Sequence, residues 1–211
     1  MNIGHIAYTY EPLIGGAENY IKTFINLFRT PEFRHHVYQK KVKNENPAVK
    51  FVPTFAFPFL RRKPFYVFNL FLNLRFFDLI KEDVLIVHDP FHFWPVIWKK
   101  NVIVLSHGVR WDRPSARERY YNKVHHLSAR LALKYAPKLV ANDSHFFRRL
   151  GLNVKPKTNM FKEVAKNHWF IPNCVDTHYF TKNEGVPNLK KLKLILVPRN
   201  IVPGRGIHLV I

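Results

Sequence analysis

The chain has 211 residues, of which 47% are hydrophobic, and it carries 34 Lys and Arg against 14 Asp and Glu, a formal net charge of +20. One cysteine, Cys174, excludes an internal disulfide and a cysteine-rich zinc site, and no signal peptide or membrane-length apolar run is present, so we expect a cytoplasmic protein. The positive charge favours polyanionic partners (nucleic acid, the inner face of an anionic membrane, phosphorylated substrates), with a solvated basic surface as the plain alternative.

The first predicted unit is a strand, a glycine loop and a helix. A short apolar run at residues 3–8 predicts the strand, and residues 17–29 have the spacing of an amphipathic helix. Gly15 and Gly16 between them leave room for a ligand to approach the backbone, and a helix N-terminus offers free N–H groups. The corner suits a phosphate or a polar sugar group, although a Gly-Gly pair can also be no more than a tight turn.

Short strands at residues 36–41 and 50–52 precede an aromatic helix at residues 65–81. Apolar residues cover this helix almost all round, which predicts burial in a core. The alternative is a hydrophobic surface that, beside the basic residues 61–63, enters the interface of a bilayer.

Strands and helices then alternate, with strands at residues 84–88, 102–106, 138–142 and 169–171, and helices at residues 115–134 and 146–150. This order predicts an α/β fold with a Rossmann-like, doubly wound parallel sheet covered on both faces. Polar residues such as His88, Asp89 and His107 follow the strands, at the edge of the sheet where ligands bind in such folds.

The domain organisation changes near residue 177. Residues 1–176 form the predicted domain, the polar, turn-rich residues 177–191 a linker, and residues 192–211 a new strand, a loop and the start of a helix. Because the last segment is too short to fold as a domain, we expect the chain to be a fragment, or to be cut after its first domain.

Three other chemistries are weaker. His88, Asp89 and His92 do not have the spacing of a standard metal-ligand set, and the Ser-His pairs lack a nucleophile elbow. A nucleic-acid-binding module has the charge but no recognised motif. Lone histidines such as His5 and His125 are interpreted as core or surface residues.

Four motifs in order carry a resemblance: GGAE at residues 15–18, HGVRWD at residues 107–112, IPNCVD at residues 171–176, and Arg199 followed by Arg205 and Gly206. Together they resemble the retaining glycosyltransferases of family 4, which have the GT-B fold. In that family two Rossmann-like domains face each other across a cleft, and the N-terminal one mainly binds the acceptor.

The resemblance implies roles by position. His107 matches a histidine that contacts the transferred sugar and is the catalytic candidate. Donor and phosphate binding is implied for Gly15, Gly16, Arg199 and Arg205, and acceptor or sugar binding for Glu18 and Asn173.

The resemblance implies transfer of a sugar, with retention, from a nucleotide-sugar donor to an acceptor. The basic, aromatic-rich composition suggests that this acceptor is lipid-linked or presented at a membrane. Neither a cofactor nor a metal is expected. The departures are Cys174 in place of Gly, Pro198 in place of Gly, Arg205 in place of Lys, and a paired-glutamate motif that the 211 residues do not contain. We therefore expect the isolated fragment to be inactive, and the alternative remains a basic nucleic-acid-binding module without catalysis.

Overall fold

The structure is a computed structural model, and it describes residues 1–12, 15–40, 46–52, 63–77, 80–111, 119–154 and 161–173. These residues form an α/β fold with four α-helices: α1 Gly16–Leu27, α2 Lys63–Leu72, α3 Arg119–Tyr135 and α4 Ser144–Arg149. Their strands are β1 Asn2–Ile6, β2 Arg34–Gln39, β3 Val49–Phe51, β4 Val84–Val87, β5 Val102–Ser106, β6 Lys138–Ala141, β7 Lys162–Ala165 and β8 His168–Phe170.

The eight strands make one sheet in the order β3-β2-β1-β4-β5-β6-β8-β7. Neighbouring strands are parallel except β7 and β8, which are antiparallel. The strand order reverses direction between β1 and β4. In open α/β sheets, ligands bind in the crevice outside the carboxyl ends of the strands at such a reversal. The arrangement is compatible with the Rossmann-like fold predicted from the sequence.

Helices cover both faces of the sheet. Successive side chains of a strand point to opposite faces, so Val37 and Tyr38 on β2 mark the two sides. Val37 packs in a cluster with Ile21 of α1, whereas Tyr38 packs in the larger cluster with Leu70 of α2 and Ala129 of α3. The helix α1 therefore packs on one face of the sheet, and α2 and α3 pack on the other.

One face of the aromatic helix is buried, since Val67, Leu70 and Leu74 are core residues, whereas Phe68 is 39% exposed. It is shorter than predicted: α2 gives way to a π-helical turn over Asn73–Phe77. There the side-chain amide of Asn73 donates to the carbonyl of Asn69 at 2.7 Å, and such a local bond competes with the regular helical pattern. In the described ranges, no helix is both long and apolar enough to cross a bilayer.

Other predicted elements are displaced by a few residues, and β7 was not predicted. The predicted linker, the stub of a second domain, Arg199 and Arg205 lie outside the described residues. Cys174 and Pro198 also lie outside them.

Candidate functional site

A small pocket of about 90 Å³ opens at the carboxyl ends of β1 and β4, where the strand order reverses. It is lined by the loop after β1, the first turns of α1, the segment after β4 and one residue after β5: Ala7, Tyr8, Thr9, Ala17, Glu18, Ile21, His88, Asp89, His92 and Arg110. The position agrees with the general rule for ligand binding in open α/β sheets.

The N-terminus of α1 forms one wall of the pocket. Gly15 precedes the helix with a φ of −149°, extended backbone that any residue adopts, and its missing Cβ would lie 3.1 Å from Oε2 of Glu18. Gly16 is the first helical residue, and a Cβ there would meet nothing within 4 Å. Neither glycine is needed for a tight turn, so their contribution is open space beside free N–H groups. Thr9 Oγ1 donates to Glu18 Oε1 at 2.7 Å and fixes that carboxylate.

His107 follows β5 directly, and its ring packs against Tyr20 of α1 with 5.0 Å between ring centroids. The turn behind it depends on Gly108, whose φ of +131° is a conformation that side-chain-bearing residues rarely adopt. Burial, together with the cation of Arg110, lowers the pKa of His107 to about 4, while Asp89 and Glu18 act in the opposite direction. His107 is therefore a neutral imidazole near pH 7.

Asp89 and Arg110 form an ion pair at the pocket, with 3.4 Å between Nε and Oδ2. The Asp89 side chain is 7% exposed and also accepts from the backbone N–H of Phe91 at 3.0 Å, so its orientation is fixed. The Arg110 side chain is 37% exposed and keeps part of its guanidinium towards solvent. The pocket lining thus combines two carboxylates, one guanidinium and the imidazoles of His88 and His92. His107 lies beside it, close enough to interact with the charges of Arg110, Asp89 and Glu18.

Four histidines from adjacent strands lie in one row, which we call the histidine row: His35, His5, His88 and His107. His5 Nε2 lies 3.0 Å from His35 Nδ1, and His5 Nδ1 lies 3.0 Å from His88 Nε2. His88 Nδ1 lies 3.4 Å from His107 Nε2, and at the other end His35 Nε2 lies 3.2 Å from the carbonyl oxygen of Phe28. The row crosses β2, β1, β4 and β5 in the order in which the sheet places them.

The two inner rings of the histidine row are buried. His5 and His88 are 0% and 4% exposed, and rings of α1 cover them, Phe24 over His5 and Tyr20 over His88. Burial lowers the pKa of His5 to about 3, with a smaller contribution from His35, and burial together with the neighbouring histidines lowers the pKa of His88 well below its usual value. Both imidazoles are neutral near pH 7.

The structure brings Gly15, Gly16, Glu18 and His107 together at one corner, as the sequence predicts. Asn173 is exposed and follows β8. It therefore lies at the same edge of the sheet, but β6 separates its strand from β5. The donor-side candidates Arg199 and Arg205 lie outside the described residues.

Sequence reasoning missed the histidine row and the pairing of Asp89 with Arg110. His5 is a core residue, as interpreted, but it is not a lone one. The one available signal for the histidine row was that His5 shares a face of β1 with Ala7. The register of β1 with β2, which brings His35 beside His5, cannot be read from the local sequence.

A second concave surface, the basic groove, lies between α3 and α4 and has a volume of about 760 Å³. Its cationic lining comes from Arg130, Lys134 and Arg149, and its apolar lining includes Leu127 and Tyr135, which are 59% and 49% exposed. No Asp or Glu lines it among the described residues.

Comparison with models of known protein families gives no match, and neither does comparison with curated protein sequences. Over the part of the chain that the structure describes, no group of three or more His, Cys, Asp or Glu side chains is arranged to hold a metal ion.

Proposed function

We propose that this chain is the acceptor-binding, Rossmann-like half of a retaining glycosyltransferase with the GT-B fold, related to family 4, that uses a nucleotide-sugar donor. The observation that carries the proposal is the pocket where the strand order reverses, which combines the N-terminus of α1 with Glu18, Asp89 and Arg110 and lies beside a neutral His107. The motif order read from the sequence supports the same function.

The chemistry of the pocket fits a sugar. Carboxylates accept hydrogen bonds from hydroxyl groups, and Glu18 and Asp89 are both held in place by other bonds. The neutral imidazole of His107 offers one lone pair to a further hydroxyl, which an imidazolium does not. Sugar hydroxyls therefore find both donors and acceptors here.

The leaving group of the proposed reaction is a nucleoside diphosphate, which needs positive charge as the glycosidic bond breaks. The free N–H groups and positive dipole end of α1, beside Gly15 and Gly16, supply part of it. Arg199 and Arg205 are the proposed cations on the donor side. With retention, the leaving phosphate assists removal of the acceptor proton on the same face of the sugar, so no carboxylate nucleophile takes part.

The test is transfer itself. The complete gene product is incubated with a panel of nucleotide sugars and glycoside acceptors, and products are read by mass spectrometry. We expect a glycosylated product, with turnover reduced at least about tenfold by Glu18→Gln or His107→Gln, because each removes a hydrogen-bonding partner of the sugar. The matched control is Glu163→Gln on β7, an edge strand away from the pocket. No product across the panel, or equal turnover in all variants, contradicts the proposal.

The basic groove favours an acceptor presented at an anionic membrane. Each Lys or Arg near such a surface contributes about 1 kcal/mol of attraction, and Leu127 and Tyr135 supply apolar area beside the cations. We expect sedimentation with phosphatidylserine vesicles at low salt, weakened by Arg130→Glu with Lys134→Glu, and little with neutral vesicles. If DNA binds with a steep salt dependence and vesicles do not, the nucleic-acid alternative takes its place.

A further inference from the structure

The carbonyl of Phe28 fixes the direction of every hydrogen bond in the histidine row. A carbonyl only accepts, so His35 donates from Nε2 and its Nδ1 carries the lone pair. His5 must then donate from Nε2 to His35, and it accepts at Nδ1. The same reasoning makes His88 donate to His5, and His107 donate to His88.

All four neutral rings are therefore Nε2–H tautomers, and Nδ1 of His107 is left as the acceptor at the inner end. We propose that the histidine row is a proton relay that couples the protonation of His35, at its outer end, to the tautomer of His107 beside the pocket. The four rings alone can couple His35 to His107, because each ring is hydrogen-bonded to the next.

The transfer balances proton by proton. A hydroxyl group at the pocket gives its proton to Nδ1 of His107, and His107 passes its Nε2 proton to Nδ1 of His88. His88 passes its Nε2 proton to His5, and His5 passes its own to His35. His35 ends as an imidazolium that keeps its bond to Phe28, and the three other rings end neutral, as Nδ1–H tautomers that still bond to their neighbours.

The reverse sequence returns the proton to the pocket, where the departing phosphate or water takes it. No further reactant is needed in either direction, and the ring nitrogens finish as they began. The longest link, 3.4 Å between His88 and His107, lies next to the pocket. Such bonds in unliganded sites commonly shorten when the ligand binds.

The surroundings disfavour a positive charge inside the row. His35 is half-buried and faces the carbonyl end of α1, where the helix dipole is negative. Inside, His5 and His88 are desolvated, and the charged or titratable groups that face the inner half are Glu18 from α1, Asp89 and His92 after β4 and Arg110 after β5.

The use of this relay in sugar transfer rests on the proposed function, but the coupling does not. The test is the tautomer of each ring, read from two-bond ¹H–¹⁵N correlations of the ¹⁵N-labelled chain across a pH titration. We expect four Nε2–H tautomers at neutral pH. As His35 takes up its proton, Nδ1 of His5, His88 and His107 should shift together from the unprotonated to the protonated resonance position, with one common midpoint.

His35→Gln is the decisive variant, because a glutamine amide can accept from His5 and donate to Phe28 but cannot take up the proton. In it, His107 should keep the Nε2–H tautomer throughout the titration. His36→Gln, one residue along β2 on the opposite face, should leave the coupled switch intact. If either variant does not fold, the titration of the unaltered chain still decides the proposal.

Two outcomes overturn the relay. One is a His107 tautomer that does not change while His35 titrates, and the other is a switch that persists in His35→Gln. Transfer activity separates this inference from the proposed function: a complete gene product that transfers sugar without coupled tautomers refutes the relay alone, and coupled tautomers without transfer refute only its use in that reaction.

Discussion

Mild acid should destabilise this fold through the buried histidines. Burial lowers the pKa of His5 to about 3, and burial with Arg110 lowers that of His107 to about 4, from the usual 6.5. The unfolded chain therefore binds more protons than the folded chain below pH 6.5, so the free energy of unfolding rises with pH. The contribution is fully present above the unfolded value and is lost as the pH falls toward the folded values.

The magnitude follows from linkage. Between about pH 7.5 and about pH 5, a histidine with an unfolded pKa of 6.5 and a folded pKa of 4 or below loses about 2 kcal/mol. His5 and His107 together give a loss of about 4 kcal/mol, and His88 adds to it in the same direction. That is a large share of the roughly 5–15 kcal/mol by which proteins are stable.

Urea unfolding, followed by tryptophan fluorescence at both pH values, measures this loss. In His107→Gln the loss on acidification should shrink by about 2 kcal/mol, because one of the charging groups is gone. A free energy of unfolding that stays within about 1 kcal/mol between the two pH values would refute the buried, neutral histidines.

Three other predictions concern single groups. Glu82→Gln should lower the free energy of unfolding by about 2–4 kcal/mol, measured by urea, because this 5% exposed carboxylate bonds to a histidine and a tyrosine and pairs with a lysine. Gly108→Ala should lower the free energy of unfolding by about 1–3 kcal/mol, because the φ of Gly108 is +131°. Gly16→Ala should not lower it, because Gly16 is helical and a Cβ there meets open space. Thermal unfolding followed by circular dichroism distinguishes the two variants. Arg110→Met should raise the pKa of His107, because a cation that opposes its protonation is removed, and an NMR titration that shows a lower pKa contradicts this.

The sheet was predictable from the sequence because its inner strands are short apolar runs separated by helical spacing. Residues 102–106 were predicted as a strand and form β5 without a shift. The strand β7 was not predicted because Lys162–Ala165 contains no apolar run. It is an antiparallel edge strand whose first residues are exposed. For the aromatic helix the composition predicted the core but left a membrane surface open as the alternative, since both need apolar residues on nearly every side.

The corner of the site was predictable once the sheet was predicted, because the carboxyl ends of parallel strands meet at one edge. The histidine row was not. It depends on the pairing of β1 with both β2 and β4, which brings His5 beside residues 30 and 83 positions away. The register between strands that are far apart in the chain leaves no signal in the short sequence windows from which hydrophobic periodicity is determined.

The pocket is too small to hold a nucleotide sugar on its own. Its volume of about 90 Å³ is well below the roughly 300–1,000 Å³ of sites that enclose ligands of drug size. On the proposed function, its polar groups therefore bind one sugar ring or one phosphate, and the rest of the donor needs a second wall, to which we assign Arg199 and Arg205. The helix α1 connects the proposed transfer with the proposed relay, because its positive end faces the pocket, where the phosphate would leave, and its negative end faces His35, where the relayed proton would rest.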